Sequence, residues 1–296
     1  MAGDSVYFLS RDGRRHALNT TTGAPLWSFR TGGEASFSAH GMFGMELTAT
    51  PVRDPWDLFL SSPLVHDGQV YFGSSDQCVY ALDARSGKPV WVFKTGGMVH
   101  SSPALAGASI VVGSWDGAVY ALDAASGEQR WRFQTQTEQK SSIVLGIQAS
   151  PRVHGDSVYI SSRDGYFYAL DAATGKQNWR YDAQGSWIVF AAAFDGATVY
   201  FGTSDTGLLL ALDRRTGKER FRFSTAVWTF AAPLVVDGML VGASMKGQPH
   251  ALDSALEHVK RLGAFVASRL WHDGQLIVAN SNGEVLFFDT VRNDHR

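Results

Sequence analysis

The chain has 296 residues, 45% of them apolar and 12% aromatic, which is enough to bury a large core. Its formal net charge is −2 and it carries no run of lysine or arginine, so it lacks the electrostatic footprint that neutralises nucleic-acid phosphates, and no nucleic-acid partner is expected. The single cysteine, Cys78, excludes an intrachain disulfide, and no stretch of about eighteen apolar residues is present to span a bilayer.

In chain order, the first pattern is VYFLSRDGRRHALNTTTGAPLWSF at 6–29. Its β-branched and aromatic runs on either side of Asp12-Gly13 read as two strands joined by a turn that needs φ > 0, and Thr22-Gly23 reads as a second turn into a third strand. The pattern recurs as VYFGSSDQCVYALDARSGKPVWVF at 70–93, GSWDGAVYALDAASGEQRWRF at 113–133, VYISSRDGYFYALDAATGKQNWRY at 158–181 and VYFGTSDTGLLLALDRRTGKERFRF at 199–223. Two further copies are worn. At 240–262 the glycine after Asp253 is gone and Arg261 stands where earlier copies carry Trp or Phe, and the copy at 276–289 ends before a third strand.

The residue that closes the ALD triplet falls at Asn19, Asp83, Asp123, Asp171, Asp213, Asp253 and Asp289, at intervals of 64, 40, 48, 42, 40 and 36. A period near forty residues spanning four strands predicts a propeller rather than a helical solenoid. The fourth strand falls in the linkers, among them SSPLVHDG (61–68), SSPALAG (101–107), ASPRVHG (149–155) and AAAFDG (191–196). Small residues there suit an innermost strand, and the proline suits its first positions. The expectation is one all-β domain over 1–296: a β-propeller of four-stranded antiparallel blades with seven repeat units visible, or an incomplete eight-bladed ring, with an inserted loop at 32–60.

The Asp-Gly followed by YALDAxTGKxxW resembles the repeat of the pyrroloquinoline-quinone-type β-propellers over nearly all of the chain. That family includes quinoprotein alcohol dehydrogenases, BamB-like assembly lipoproteins and many propellers that bind no quinone, so the repeat carries the fold further than the function. The resemblance implies that Trp27, Trp91, Trp131 and Trp179, with Phe221 substituting, dock between neighbouring blades. A quinoprotein dehydrogenase of this type would also need a vicinal disulfide, a tryptophan against the quinone, a calcium ion and a catalytic aspartate. One cysteine rules out the vicinal pair. No quinone or calcium cofactor is expected.

The acidic residues fall mainly on turns, with Asp12, Asp116 and Asp164 at the hairpins and Asp83, Asp123, Asp171 and Asp213 at the second turn, and no catalytic residue is assigned. The histidines form no HxxxH cluster, so no metal site is assigned either. Two departures from the repeat remain. The inserted loop 32–60 carries Phe37, Met42, Phe43, Met45, Trp56 and Phe59 and is expected to fold over a propeller face, with Asp54 and Asp57 either a carboxylate pair for hydrolysis or solvated acids on a plug. The other is the position three residues before each linker proline or its equivalent, at the channel mouth: Leu60, His100, Gln148, Phe190, Phe230 and Val266, with Met98, Trp187 and Trp228 beside them. Aromatic residues mixed with His100 and Gln148 at exposed positions suit a ligand pocket or partner surface.

The site expected is therefore His100, Gln148, Trp187, Phe190, Trp228 and Phe230, and the function expected is a non-catalytic scaffold that binds a protein or peptide partner. A quinone- or small-molecule-binding oxidoreductase is the alternative. The resemblance implies a periplasmic or extracytoplasmic location, although Met1-Ala-Gly-Asp runs directly into a strand with no export signal.

Overall fold

The computed structural model describes residues 3–10, 12–41, 49–54, 57, 60–136, 145–224, 232–236, 239–243, 249–253, 259–261, 269–272, 275–279 and 285–289. All regular elements among them are strands. Sheet one is β1 (Ser5–Ser10), β2 (Arg14–Asn19) and β3 (Pro25–Arg30), followed by a small hairpin, β4 (Ser38–Ala39) and β5 (Val52–Arg53). Sheet two is β6 (Leu64–His66), β7 (Gln69–Gly73), β8 (Cys78–Asp83) and β9 (Pro89–Lys94), and sheet three is β10 (Ala104–Ala106), β11 (Ser109–Gly113), β12 (Ala118–Asp123) and β13 (Gln129–Gln134). Sheet four is β14 (Arg152–His154), β15 (Ser157–Ser161), β16 (Tyr166–Asp171) and β17 (Gln177–Asp182). Sheet five is β18 (Ala193–Asp195), β19 (Thr198–Gly202), β20 (Leu208–Asp213) and β21 (Glu219–Ser224). Sheet six is β22 (Leu234–Val236), β23 (Met239–Ala243), β24 (Pro249–Asp253) and β25 (Val259–Arg261), and sheet seven is β26 (Arg269–His272), β27 (Gln275–Ala279) and β28 (Val285–Asp289). Each is an antiparallel meander in chain order, and each linker supplies the first strand of the sheet that follows it. The chain divides into two compact units, residues 1–189 and 190–296.

The two middle strands of a sheet are covered on both faces, so β11 and β16 read as continuous apolar runs. The outermost strand alternates: Trp131 of β13 is buried while Arg130 and Arg132 face water. Two kinds of hydrogen bond recur between one sheet and the next within unit one. At one end, the indole N–H of Trp27, Trp91 and Trp131 donates to the carbonyl of Ala84, Ala124 and Ala172 at 2.9, 2.9 and 3.0 Å. At the other, Asp76, Asp116 and Asp164 accept the amide N–H of Gly32, Gly96 and Gln136, each contributed by the preceding sheet, at 2.7, 2.8 and 3.0 Å. The same carboxylates accept a tyrosine hydroxyl four residues on, from Tyr80, Tyr120 and Tyr168. In sheet five Phe221, which has no donor, takes the tryptophan position and packs with Tyr200 and Leu240. In sheet six it is Lys260, not Arg261, that pairs with the alanine of the triplet, Ala251; the register shift seen between alanine and leucine in sheets one to five is missing there.

The hairpin turn is longer than the two residues Asp-Gly. Between β11 and β12 it comprises Ser114, Trp115, Asp116 and Gly117, closed by Ser114 N–H to Ala118 O and Gly117 N–H to Ser114 O, both 3.0 Å, and only the last residue takes φ > 0. In sheet two that place falls to Gln77, held at φ 72°. The longer loop puts the residue before the aspartate at its tip rather than in a strand.

Candidate functional site

Three hairpin tips of unit one carry Ser75, Trp115 and Arg163. The linkers run past them in a common register: Val99, Ile147 and Ile188 donate their amides to Ser74, Ser114 and Ser162 carbonyls, at 3.1, 3.0 and 3.4 Å. This places His100 and Gln148 beside the tips. It also corrects one expected position. Val189, not Phe190, follows Ile188 as His100 follows Val99; the linker into sheet five has no proline, and counting back from its small residues slips by one. Phe190 is half-buried, and Trp228, Phe230 and Val266 lie outside the described residues.

His100, Gln148 and Trp187 are buried, where the sequence suggests exposure. The inserted segment meets this cluster at His100, Trp115 and Arg163. The pairing of Ser38 with Arg53 and Ala39 with Val52 brings Phe37 and Asp54 together at the hairpin base, where Asp54 N–H donates to Phe37 O at 2.8 Å. Phe37 lies flat on Trp115, with ring centroids 4.1 Å apart and an interplanar angle of 5°. Its amide donates to Asp57 Oδ2 at 2.6 Å, and the other oxygen of Asp57 accepts His100 Nδ1–H at 2.8 Å. Asp54 accepts Arg163 Nη1–H, and Arg163 Nη2 donates to Gln148 Oε1 at 2.6 Å. The Arg163 guanidinium sits between two indoles, 4.6 Å from Trp115 and 4.5 Å from Trp187. Burial pulls it below its ordinary pKa, against the opposing pull of Asp54 and then Asp57.

Asp54 and Asp57, 2% and 5% exposed, are thus neither solvated acids nor a free pair for hydrolysis; each carboxylate is held by a different partner. A third acid of the segment, Glu34, pairs with buried Arg15 at 3.0 Å and accepts the hydroxyls of Ser74 and Ser75, both at 2.9 Å. Arg15 also donates to Gly73 O at 2.7 Å and lies over the Phe72 ring.

Ser75, His100 and Asp57 fall in the order of a hydrolytic triad, with Ser75 Oγ 2.7 Å from His100 Nε2. The single hydroxyl proton of Ser75 is contested, however, by Glu34 Oε2 at 2.9 Å and Ala35 O at 2.8 Å, in a buried position. With three acceptors around its one proton, the Ser75 hydroxyl links Glu34 and Ala35 of the inserted segment to His100.

Sequence reasoning missed Ser75, Trp115 and Arg163. The signal is in the repeat itself: between an invariant Ser or Thr and the turn aspartate, this one column reads Arg11, Ser75, Trp115, Arg163 and Ser204.

The profile of the family described as outer membrane protein assembly factor BamB matches residues 1–186 and 163–290. The chain belongs to this BamB family. Among solved structures it is similar to BamB from Moraxella catarrhalis, at 20% identity and a TM-score of 0.77 over 99% of this chain and 82% of that one. It is also similar to the computationally designed Ika8 protein, at 16% identity and a TM-score of 0.68 over 98% and 94% of the two chains. Quinohemoprotein alcohol dehydrogenase from Comamonas testosteroni follows at 22% identity and 0.61, where 80% of this chain covers 47% of the enzyme. No curated protein matches by sequence. These likenesses make the fold an all-β propeller of PQQ-type repeats, BamB-like in its blades. Among the described residues no helix is long and apolar enough to cross a membrane.

Proposed function

We propose that the chain is a non-catalytic propeller scaffold, one domain over 1–296, that holds a protein or peptide partner in the periplasm. The observation that carries this reading is that the acids gathered at the hairpin tips of unit one are engaged inside the chain: Glu34 with Arg15, Asp54 with Arg163, and Asp57 with His100. General acid–base work needs a group within reach of a substrate, and these are enclosed. The family's description as an outer membrane assembly factor supports both the scaffold role and the extracytoplasmic location.

The same arrangement supports a chain without resident quinone. Phe37 covers Trp115, and Asp54 takes the cation that a quinone carboxylate would seek. The likeness to the quinohemoprotein dehydrogenase favours a second reading, an oxidoreductase that binds quinone or another small molecule. A saturable rise in melting temperature with pyrroloquinoline quinone and calcium would establish it in place of the first.

Photocrosslinking tests the scaffold. A photoreactive residue at Gln77, exposed at a hairpin tip, is expected to trap one discrete partner in cells that make the chain; one at Ser86, exposed at the opposite end of β8, is not. Absence of any discrete product at Gln77 and at exposed Arg53 of the inserted segment would overturn the reading.

A further inference from the structure

We propose that the hairpin tips of sheets three and four, with His100 and Gln148, form a binding site for an acidic peptide segment bearing an aromatic residue, filled here by the chain's own Phe37, Asp54 and Asp57. The proposal rests on the scaffold reading and gives the partner its chemistry.

The groups divide cleanly by origin. Arg163, His100, Gln148, Trp115 and Trp187 all come from the blades and their linkers, whereas the ring and both carboxylates that meet them come from one insertion. The blade half holds itself in place. Arg163 is clamped between two indoles, fixed by Gln148, and anchored through its own amide, which donates to Gly146 O at 3.2 Å. Its Nε is buried without a hydrogen-bond partner, so one donor of the fork is unspent.

A guanidinium in this position requires an anion, because leaving it unpaired in a dry site is strongly destabilising. It does not require the anion to come from the same chain. A carboxylate offered in trans restores the pair like for like, so the exchange costs the association entropy of the incoming segment, which further contacts of a partner with the blades must offset. The flat stack on Trp115 adds preference for an aromatic side chain, since an aliphatic one cannot match two rings in parallel contact. Among the described residues the regular structure of the insertion is two residues of β4 against two of β5, so its hold on the blades comes from the side-chain contacts that a peptide of the same chemistry can reproduce.

The test uses the full chain and a synthetic peptide with the sequence of its residues 34–57. Asp54→Asn leaves Arg163 without its carboxylate and is expected to lower the melting temperature by several degrees. The peptide in excess should restore most of that loss, while the same peptide carrying asparagine at the two aspartates should not. By fluorescence anisotropy the peptide should bind Asp54→Asn about tenfold or more tighter than wild type, and adding Arg163→Met should abolish binding. No rescue and no binding by a folded Asp54→Asn chain would overturn the site. Hydrogen exchange on the wild type decides the matter if that variant does not fold. The Asp54 amide should exchange about tenfold or more faster than that of Ile110 in β11, and equal rates would overturn the proposal by making the insertion part of the core. Missing crosslinks at both Gln77 and Arg53 together with intact peptide rescue would instead sink the scaffold reading and leave this site standing.

Discussion

The indole N–H of Trp91 reaches the carbonyl of Ala124 at 2.9 Å, and its ring lies over Gly127, three residues further on. The glycine of the turn is thereby accounted for twice: it takes φ +75°, and a Cβ there would stand 2.6 Å from the indole. Gly107 has φ +58° with nothing within 4 Å of a Cβ. Gly107→Ala should cost about 1 kcal/mol, the strain of a left-handed alanine. Gly127→Ala should cost that plus about 1–3 kcal/mol from the collision with Trp91. Urea denaturation of the two variants measures the difference, and equal losses would mean that the ring moves aside freely.

Asp54 and Arg163 form a coupled pair across 109 residues of sequence. Removing one partner leaves the other charged or polar in a dry site, so Asp54→Asn and Arg163→Met should each cost about 3–5 kcal/mol. The double variant should cost less than their sum by about 1–3 kcal/mol. A double-mutant cycle by chemical denaturation reads the coupling directly, and strict additivity would mean that the pair does not matter energetically.

Ser75 has the neighbours of a nucleophile without its freedom. A fluorophosphonate probe is expected to leave it unlabelled in the native chain, because Glu34 and Ala35 O compete with His100 for its proton. Mass spectrometry of the treated protein checks this. A stoichiometric adduct on Ser75 would make the triad geometry functional.

The outer strand of sheet two differs from those of sheets three and five. Val90 and Val92 are 48% and 51% exposed, where β13 carries Arg130 and Arg132 and β21 carries Arg220 and Arg222. Arg132 lies over the Tyr120 ring, and Tyr80 is the matching ring in sheet two, directly paired with Val92. Val92→Arg is therefore expected to change stability by no more than about 0.5–1 kcal/mol, in the stabilising direction. It should also reduce self-association, since charge on an edge strand blocks edge-to-edge pairing. Light scattering at rising concentration tests the second effect.

Two aspartates should titrate in opposite directions. Asp123 is held down to about 2, first by the side chain of Arg130 at 2.5 Å and then by the amides of Ser126 and Ala125. Its folded value lies below the unfolded one, so its contribution is complete above pH 3.8 and is lost as pH falls towards about 2. Asp164 is pushed up by burial, even though Tyr168 donates to it at 2.5 Å. It keeps its proton to higher pH than the unfolded chain does, and stability therefore falls as pH rises from 3.8 through that raised value. Carboxyl-carbon NMR titrations follow both groups. Arg130→Ala should return Asp123 towards 3.8, and Asp164→Asn should remove the fall across that window.

The fold was legible because the repeat residues are there for short-range reasons that recur. Gly127 must pass under a tryptophan, Asp116 must accept from Tyr120, and Trp131 must reach Ala172, so each leaves the same mark every forty residues or so. The mouth was legible only in part. His100, Gln148 and Trp187 do come together in space, but as buried members of one cluster rather than as a surface. Reading Asp116-Gly117 as the turn left Trp115 without a role and hid the tip position it shares with Ser75 and Arg163. Pairing of the insertion's acids with blade cations was beyond sequence, because nothing local to Asp54 or Asp57 specifies Arg163 or His100; the fold alone brings them within reach.

Phe221 changes how its joint behaves under load. A hydrogen-bonded indole such as that of Trp91 is brittle: it holds until the donor leaves the carbonyl, and then it yields at once. The apolar contact of Phe221 with Tyr200 and Leu240 has no direction to lose, so it can slide and re-form. The joint beside sheet five therefore rests on packing, where that of Trp91 adds a directional bond to packing of the same kind.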